Sequence, residues 1–78
     1  MSKLPVISGK ALLRILCKHG YIALRQKGSH VFIESTDGKY GTVLPVHGNE
    51  DLGPGLLKSI LNDLSISADE LHKMLSQR

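Results

Sequence analysis

The apolar residues of this chain change their spacing twice, and that change limits the fold more than any single motif. Leu12, Ile15 and Leu16 recur at three and four residues, which is the spacing of a helix with one buried face. Between Ile22 and Ile33 the apolar residues alternate instead, as they do along strands. From Leu57 through Ile60, Leu61 and Leu64 the helical spacing returns, and Leu71, Met74 and Leu75 repeat it near the end. A helical stretch, a strand-rich stretch and a second helical stretch in this order predict helices and a sheet that share one core.

Local signals divide these stretches into elements. Ser8 can cap a helix through its hydroxyl, and Gly20 can end it, so the first helix is expected from about Ser8 to His19. Lys10, Arg14, Cys17 and Lys18 fall on its polar side. Strands are expected around Tyr21–Arg25, His30–Glu34 and Tyr40–Leu44. Lys27-Gly28-Ser29 forms the first turn between them, and the Asp37-Gly38 pair marks the second as a hairpin. Pro45 has no N–H to give and should stop the third strand. Val46 to Gly53 reads as a loop, Pro54 suits the first turn of a helix, and Ser67 with Glu70 forms a capping-box pattern.

Two short connections make the strands an antiparallel meander. The expected fold is α+β: a two-layer α-β-β-β-α sandwich with a three-stranded antiparallel sheet, plus a short C-terminal helix. This order resembles the double-stranded RNA-binding domain. By simple alternation, Ile22, Leu24, Val31, Ile33 and Val43 face the helices, while Arg25 and His30 face away. A bulge at Gly28 would shift this register.

The 78 residues suffice for one domain, residues 1–78, in which nearly every apolar side chain is needed for the core. Cys17 is the only cysteine, so packing rather than an internal disulfide holds the fold, as suits a cytoplasmic protein. No stretch is long and apolar enough to suggest a membrane span or a secretory leader. Residues 1–48 carry seven Lys or Arg against two acidic residues, for a net +5, whereas residues 49–78 carry a net −2. That polarity suits a polyanion bound on one side, although scattered surface charge would produce the same count.

His30 is the first candidate for chemistry. An imidazole titrates near neutral pH and can both take and give a proton. In RNA cleavage such a group can remove the 2′-hydroxyl proton, and nearby cations can stabilise the charge on the phosphate. Arg25 and Lys27 precede it, and Gly28 and Ser29 can turn backbone N–H groups toward a phosphate oxygen. Lys39, at the second turn, is a further phosphate contact; equally, lysines at strand ends keep sheet edges soluble. Tyr21, Phe32 and Tyr40 can stack on unpaired bases, or can fill the core and cover the sheet. His47, in the loop after the third strand, reads either as a backbone-bonded loop histidine or as a second acid–base or substrate group. His19 ends a helix, where a cation suits the dipole, and His72 lies on the polar face of the last helix and reads as solvated. The histidines and Cys17 lack metal-ligand spacing, and the cluster of His47, Glu50 and Asp51 is a weak alternative, so no metal or other cofactor is expected. No Cys-x-x-Cys pair or Gly-rich phosphate loop is present.

Four segments in order carry a family resemblance: Leu4-Pro5-Val6-Ile7-Ser8-Gly9-Lys10, Arg25-Gln26-Lys27-Gly28-Ser29-His30, Val46-His47-Gly48, and Pro54-Gly55 followed by Lys58-Ser59-Ile60-Leu61. Together they resemble the HicA toxins of type II toxin–antitoxin systems. The resemblance implies an mRNA-cleaving enzyme with His30 as its catalytic residue and a HicB-type antitoxin that covers the site. It implies no metal cofactor. Gly28 and Ser29 match the residues around the family's histidine, and His47 matches its second histidine. Val31-Phe32-Ile33, Gly53 and Leu56 depart from the family pattern toward less positive charge. Two other expectations stand beside the enzyme: an RNA-binding module without catalysis, and a degenerate toxin acting through protein contact.

Overall fold

The computed structural model describes residues 3–77; Met1, Ser2 and Arg78, which the expected domain includes, lie outside the described residues. Helix α1 spans Gly9–Lys18, and the Ser8 hydroxyl accepts the Ala11 N–H at 3.1 Å, as its position before the apolar stripe predicts. Leu12, Ile15 and Leu16 are buried along the inner face of α1. Cys17 is exposed, and His19 forms the C-cap. Strands β1 (Tyr21–Lys27), β2 (His30–Ser35) and β3 (Gly41–Pro45) follow, then α2 (Pro54–Asp63) and α3 (Ala68–Ser76). Among the described residues this gives three helices and one antiparallel sheet in the order β1-β2-β3, an α+β fold.

The helices lie against one face of the sheet, with α1 on β1 and β3 and α2 on β3. Val31, Ile33 and Leu44 are buried beneath them and share a core with Leu12, Leu16, Leu57, Ile60, Leu64 and Leu71. The exit from α2 is closed by two backbone bonds, Ser65 N–H to the Asn62 carbonyl and Ile66 N–H to the Leu61 carbonyl. This Schellman arrangement needs a left-handed residue after the C-cap. Ser65 supplies it at φ 58° where glycine is usual, and the chain then turns so that Ile66 is buried. The Ser67–Glu70 capping box forms as expected and starts α3.

The face assignment needs three corrections. Ile22 and Leu24 are exposed at 47% and 56%, and Val43 at 40%, so none of them faces the helices. The cause in β1 is a bulge between Ala23 and Arg25, not at Gly28. Ile22 is opposite Glu34 and Arg25 is opposite Phe32, so one extra residue on β1, Leu24, is absorbed between them. Ile22 and Arg25 therefore share the open face, although strict alternation would put them on opposite faces. In β3, Val43 and Leu44 are both apolar, and the pairing of Leu44 with Val31 decides that Leu44 is the buried one. β3 also ends at Pro45 rather than before it. As the last residue of an edge strand, Pro45 loses little by lacking an N–H.

Gly9 marks the closest approach between the layers. A methyl group added there would overlap the Pro45 carbonyl oxygen and lie 2.9 Å from its carbonyl carbon and 3.2 Å from the Val46 Cα. Only a residue without a side chain lets the start of α1 rest against the end of β3.

Candidate nucleic-acid interface and active site

The β1–β2 connection is a two-residue turn, Gly28-Ser29, closed by the facing pair Lys27 and His30. Gly28 holds φ 59°, a conformation that a side chain would disfavour, and the Gln26 side-chain amide donates to its carbonyl at 2.8 Å. The space around Gly28 is open, so the turn backbone faces solvent. Ser29 is half-buried, and its carbonyl accepts the Val46 N–H at 2.7 Å. That bond, with the pairing of His30 to Pro45, ties the turn to the chain as it leaves β3.

His30 is exposed at the start of β2, and no hydrogen bond ties up its ring among the described residues. Lys27 stands directly across from it on β1, where facing Cβ atoms are about 4.5–5.5 Å apart. Arg25 is the diagonal neighbour, at about 7–8 Å, and lies on the same open face. Its guanidinium covers the half-buried Phe32 ring, 4.5 Å from the ring centroid. The fold thus brings together an open imidazole, two cations and an exposed glycine turn. Such a group can move protons while fixed positive charge faces a phosphate.

His47 lies at the same end of the sheet, two residues beyond Pro45, and is exposed. Its carbonyl accepts the Glu50 N–H at 3.2 Å, and the residue lines a small cleft of about 150 Å³ with Pro45, Glu50, Asp51, Leu52, Gly53 and Leu56. Lys39 does not join this group. It sits in the β2–β3 connection, at the far end of β2, about 17 Å along the strand from His30. There its N–H donates to the Asp37 carboxylate, which also accepts from the Ser35 hydroxyl. These two bonds, the Ser35 hydroxyl first, hold the Asp37 pKa below its ordinary value. Tyr21 packs partly into the core, and burial pushes its phenol pKa up.

The other histidines take structural positions. His19 is partly buried, and its Nε2 has no hydrogen-bond partner. His72 is not simply solvated: its Nε2–H donates to the Lys3 carbonyl at 2.6 Å and fastens the N-terminal segment to α3. Among the described residues no group of three or more His, Cys, Asp or Glu is placed to hold a metal ion. No helix among them is long and apolar enough to cross a membrane. The roomier clefts are lined by residues away from His30, so the candidate site is an open surface rather than a pocket.

The Arg25–Phe32 contact was not legible in advance, because alternation alone does not reveal that a bulge brings Arg25 opposite Phe32. A family model described as HicA toxin of bacterial toxin-antitoxin matches residues 9–66, from the first residue of α1 to the residue that closes α2. The match includes His30 and His47. No curated protein matches the chain.

Proposed function

The chain belongs to the HicA toxin family and is a toxin of a toxin–antitoxin system with an antitoxin partner; from that premise we propose that it is an endoribonuclease cutting mRNA by general acid–base catalysis at His30. The carrying observation is the His30 ring itself, exposed, without a hydrogen bond among the described residues and opposite Lys27. As base, the neutral imidazole takes the 2′-hydroxyl proton, and the 2′-oxygen attacks the adjacent phosphorus. The bond to the 5′-oxygen then breaks, and that oxygen leaves with a proton. The imidazolium of His30 can return the proton it took, and His47, at the same end of the sheet, is the other candidate for this second transfer. Arg25 and Lys27 offset the charge that builds on the phosphate, and the backbone of Gly28 and Ser29 meets one of its oxygens. No step in this scheme needs a metal. A HicB-type antitoxin covering this open end would stop the reaction by excluding RNA.

The test compares wild type with His30→Ala on mRNA, after circular dichroism shows that both are folded. Cleavage by the variant is expected to fall by about 10²–10⁴. Equal cleavage by the two proteins would falsify the assignment. The apolar side chains of Ile22 and Val43 on the open face, with exposed Leu24 at the bulge beside them, favour the protein-contact reading if cleavage proves independent of His30.

A further inference from the structure

We propose that Phe32 is a stacking platform for one nucleobase of a single-stranded substrate, uncovered when Arg25 leaves its ring for a phosphate. The proposal rests on the ribonuclease reading and specifies which form of RNA the site accepts. Of the three aromatic residues, Phe32 alone lies on a strand of the open face. Tyr21 packs against the core, and Tyr40 is in the connection at the opposite end of the sheet from His30. Phe32 and His30 are two residues apart on β2 and share a face, with Cα atoms about 6.6 Å apart. A base attached next to a phosphate at His30 therefore falls over the Phe32 ring.

The Arg25 guanidinium now covers that ring. A cation–π contact at a solvent-exposed site is weaker than the stack of a base on an aromatic ring. A guanidinium also bonds phosphate more strongly than it holds a ring. Exchanging Arg25 for a base, with Arg25 moving to the strand's phosphate, improves both contacts at once. Lys27, across from His30, adds to the positive surroundings that a phosphate chain favours. A base within a duplex has both faces covered by its neighbours and cannot stack on a side chain. The platform therefore selects single strands, in contrast to the duplex recognition that a double-stranded RNA-binding arrangement would suggest.

The chain contains no tryptophan, so Phe32→Trp introduces the only indole, which can be excited apart from Tyr21 and Tyr40, at the platform. The probes are a 2′-O-methyl oligoadenylate, which lacks the attacking hydroxyl, the same strand annealed to its complement, and an abasic strand of equal phosphate count. Saturable quenching of the indole by the single strand alone is the expected result. Equal quenching by all three probes, or by none, overturns the proposal; quenching that appears only on adding the antitoxin also overturns it and assigns the face to a protein partner. In a second measurement, folded Phe32→Leu should bind the single strand between about fivefold and about 150-fold more weakly, with an unchanged salt slope. Undiminished binding by this variant counts against the platform. If His30→Ala cleaves normally, the ribonuclease reading fails while the quenching result stands on its own; loss of quenching with an inactive His30→Ala removes only the platform.

Discussion

Replacing Gly9 by alanine should destabilise this protein, against the usual direction of that change in a helix. Alanine normally improves on glycine in a helix interior by about 0.5–1 kcal/mol. Here the new methyl would overlap the Pro45 carbonyl oxygen and lie 2.9 Å from its carbon. Backbone cannot change rotamer to make room. The Val46 Cα is 3.2 Å from the same methyl, and Val46 is held by its N–H bond to the Ser29 carbonyl at 2.7 Å. Either α1 backs away from the sheet or the end of β3 moves, so the cost is that of overpacking, about 1–3 kcal/mol. For a domain of this size each kcal/mol shifts Tm by about 4–8 °C, so the melting point should fall by roughly 4–24 °C. Gly55→Ala is the control, because Gly55 also lies in the first turn of a helix but has open space around it. That variant should match or exceed wild type, by no more than about 1 kcal/mol. Thermal melts followed by far-UV circular dichroism, with urea midpoints at equal m-value, decide the matter. A Gly9→Ala protein that melts at or above the wild-type temperature would refute the close approach of α1 to Pro45.

Two further outcomes follow from burial and from charge. Leu44→Ala, at a fully buried position, should cost about 2–5 kcal/mol, whereas Leu24→Ser, on the bulge, should change stability by no more than about 0.5 kcal/mol; urea denaturation giving similar losses would contradict the bulge. The Asp37 carboxylate has a lowered pKa in the fold, so it stabilises the β2–β3 connection above its ordinary value of 3.8, and that contribution is lost as pH falls through the folded pKa. The gap in Tm between wild type and Asp37→Ala should therefore narrow in acid; a gap that stays constant from neutral pH into that range would show that ionised Asp37 does not brace the turn.

Much of this architecture is written into short stretches of sequence. Ser8, Ser67 and Glu70 mark helix starts because a cap is a bond between residues three apart, and those bonds form. The helical faces of α1 and α2 follow from spacing, since a helix must bury its apolar stripe whatever it packs against. Gly28-Ser29 and Asp37-Gly38 mark the turns for an equally local reason. His30 as the residue to examine was also readable, from its place after a glycine turn between basic residues and from the family pattern around it.

Strand faces and the grouping of site residues belonged to the tertiary structure. A strand has two sides, and only its neighbour decides which one is inward; Val43 and Leu44 are chemically alike until Leu44 pairs with Val31. The extra residue at Leu24 is invisible to alternation, yet it puts Ile22 and Arg25 on one face and Arg25 over Phe32. Lys39 and Lys27 look equivalent as basic residues beside turns, but a sheet has two ends, and only Lys27 is at the end with His30. Caps and turns act between residues a few positions apart, so the chain alone determines them. The company that His30 keeps depends on pairing between distant segments, which exists only once the sheet has formed.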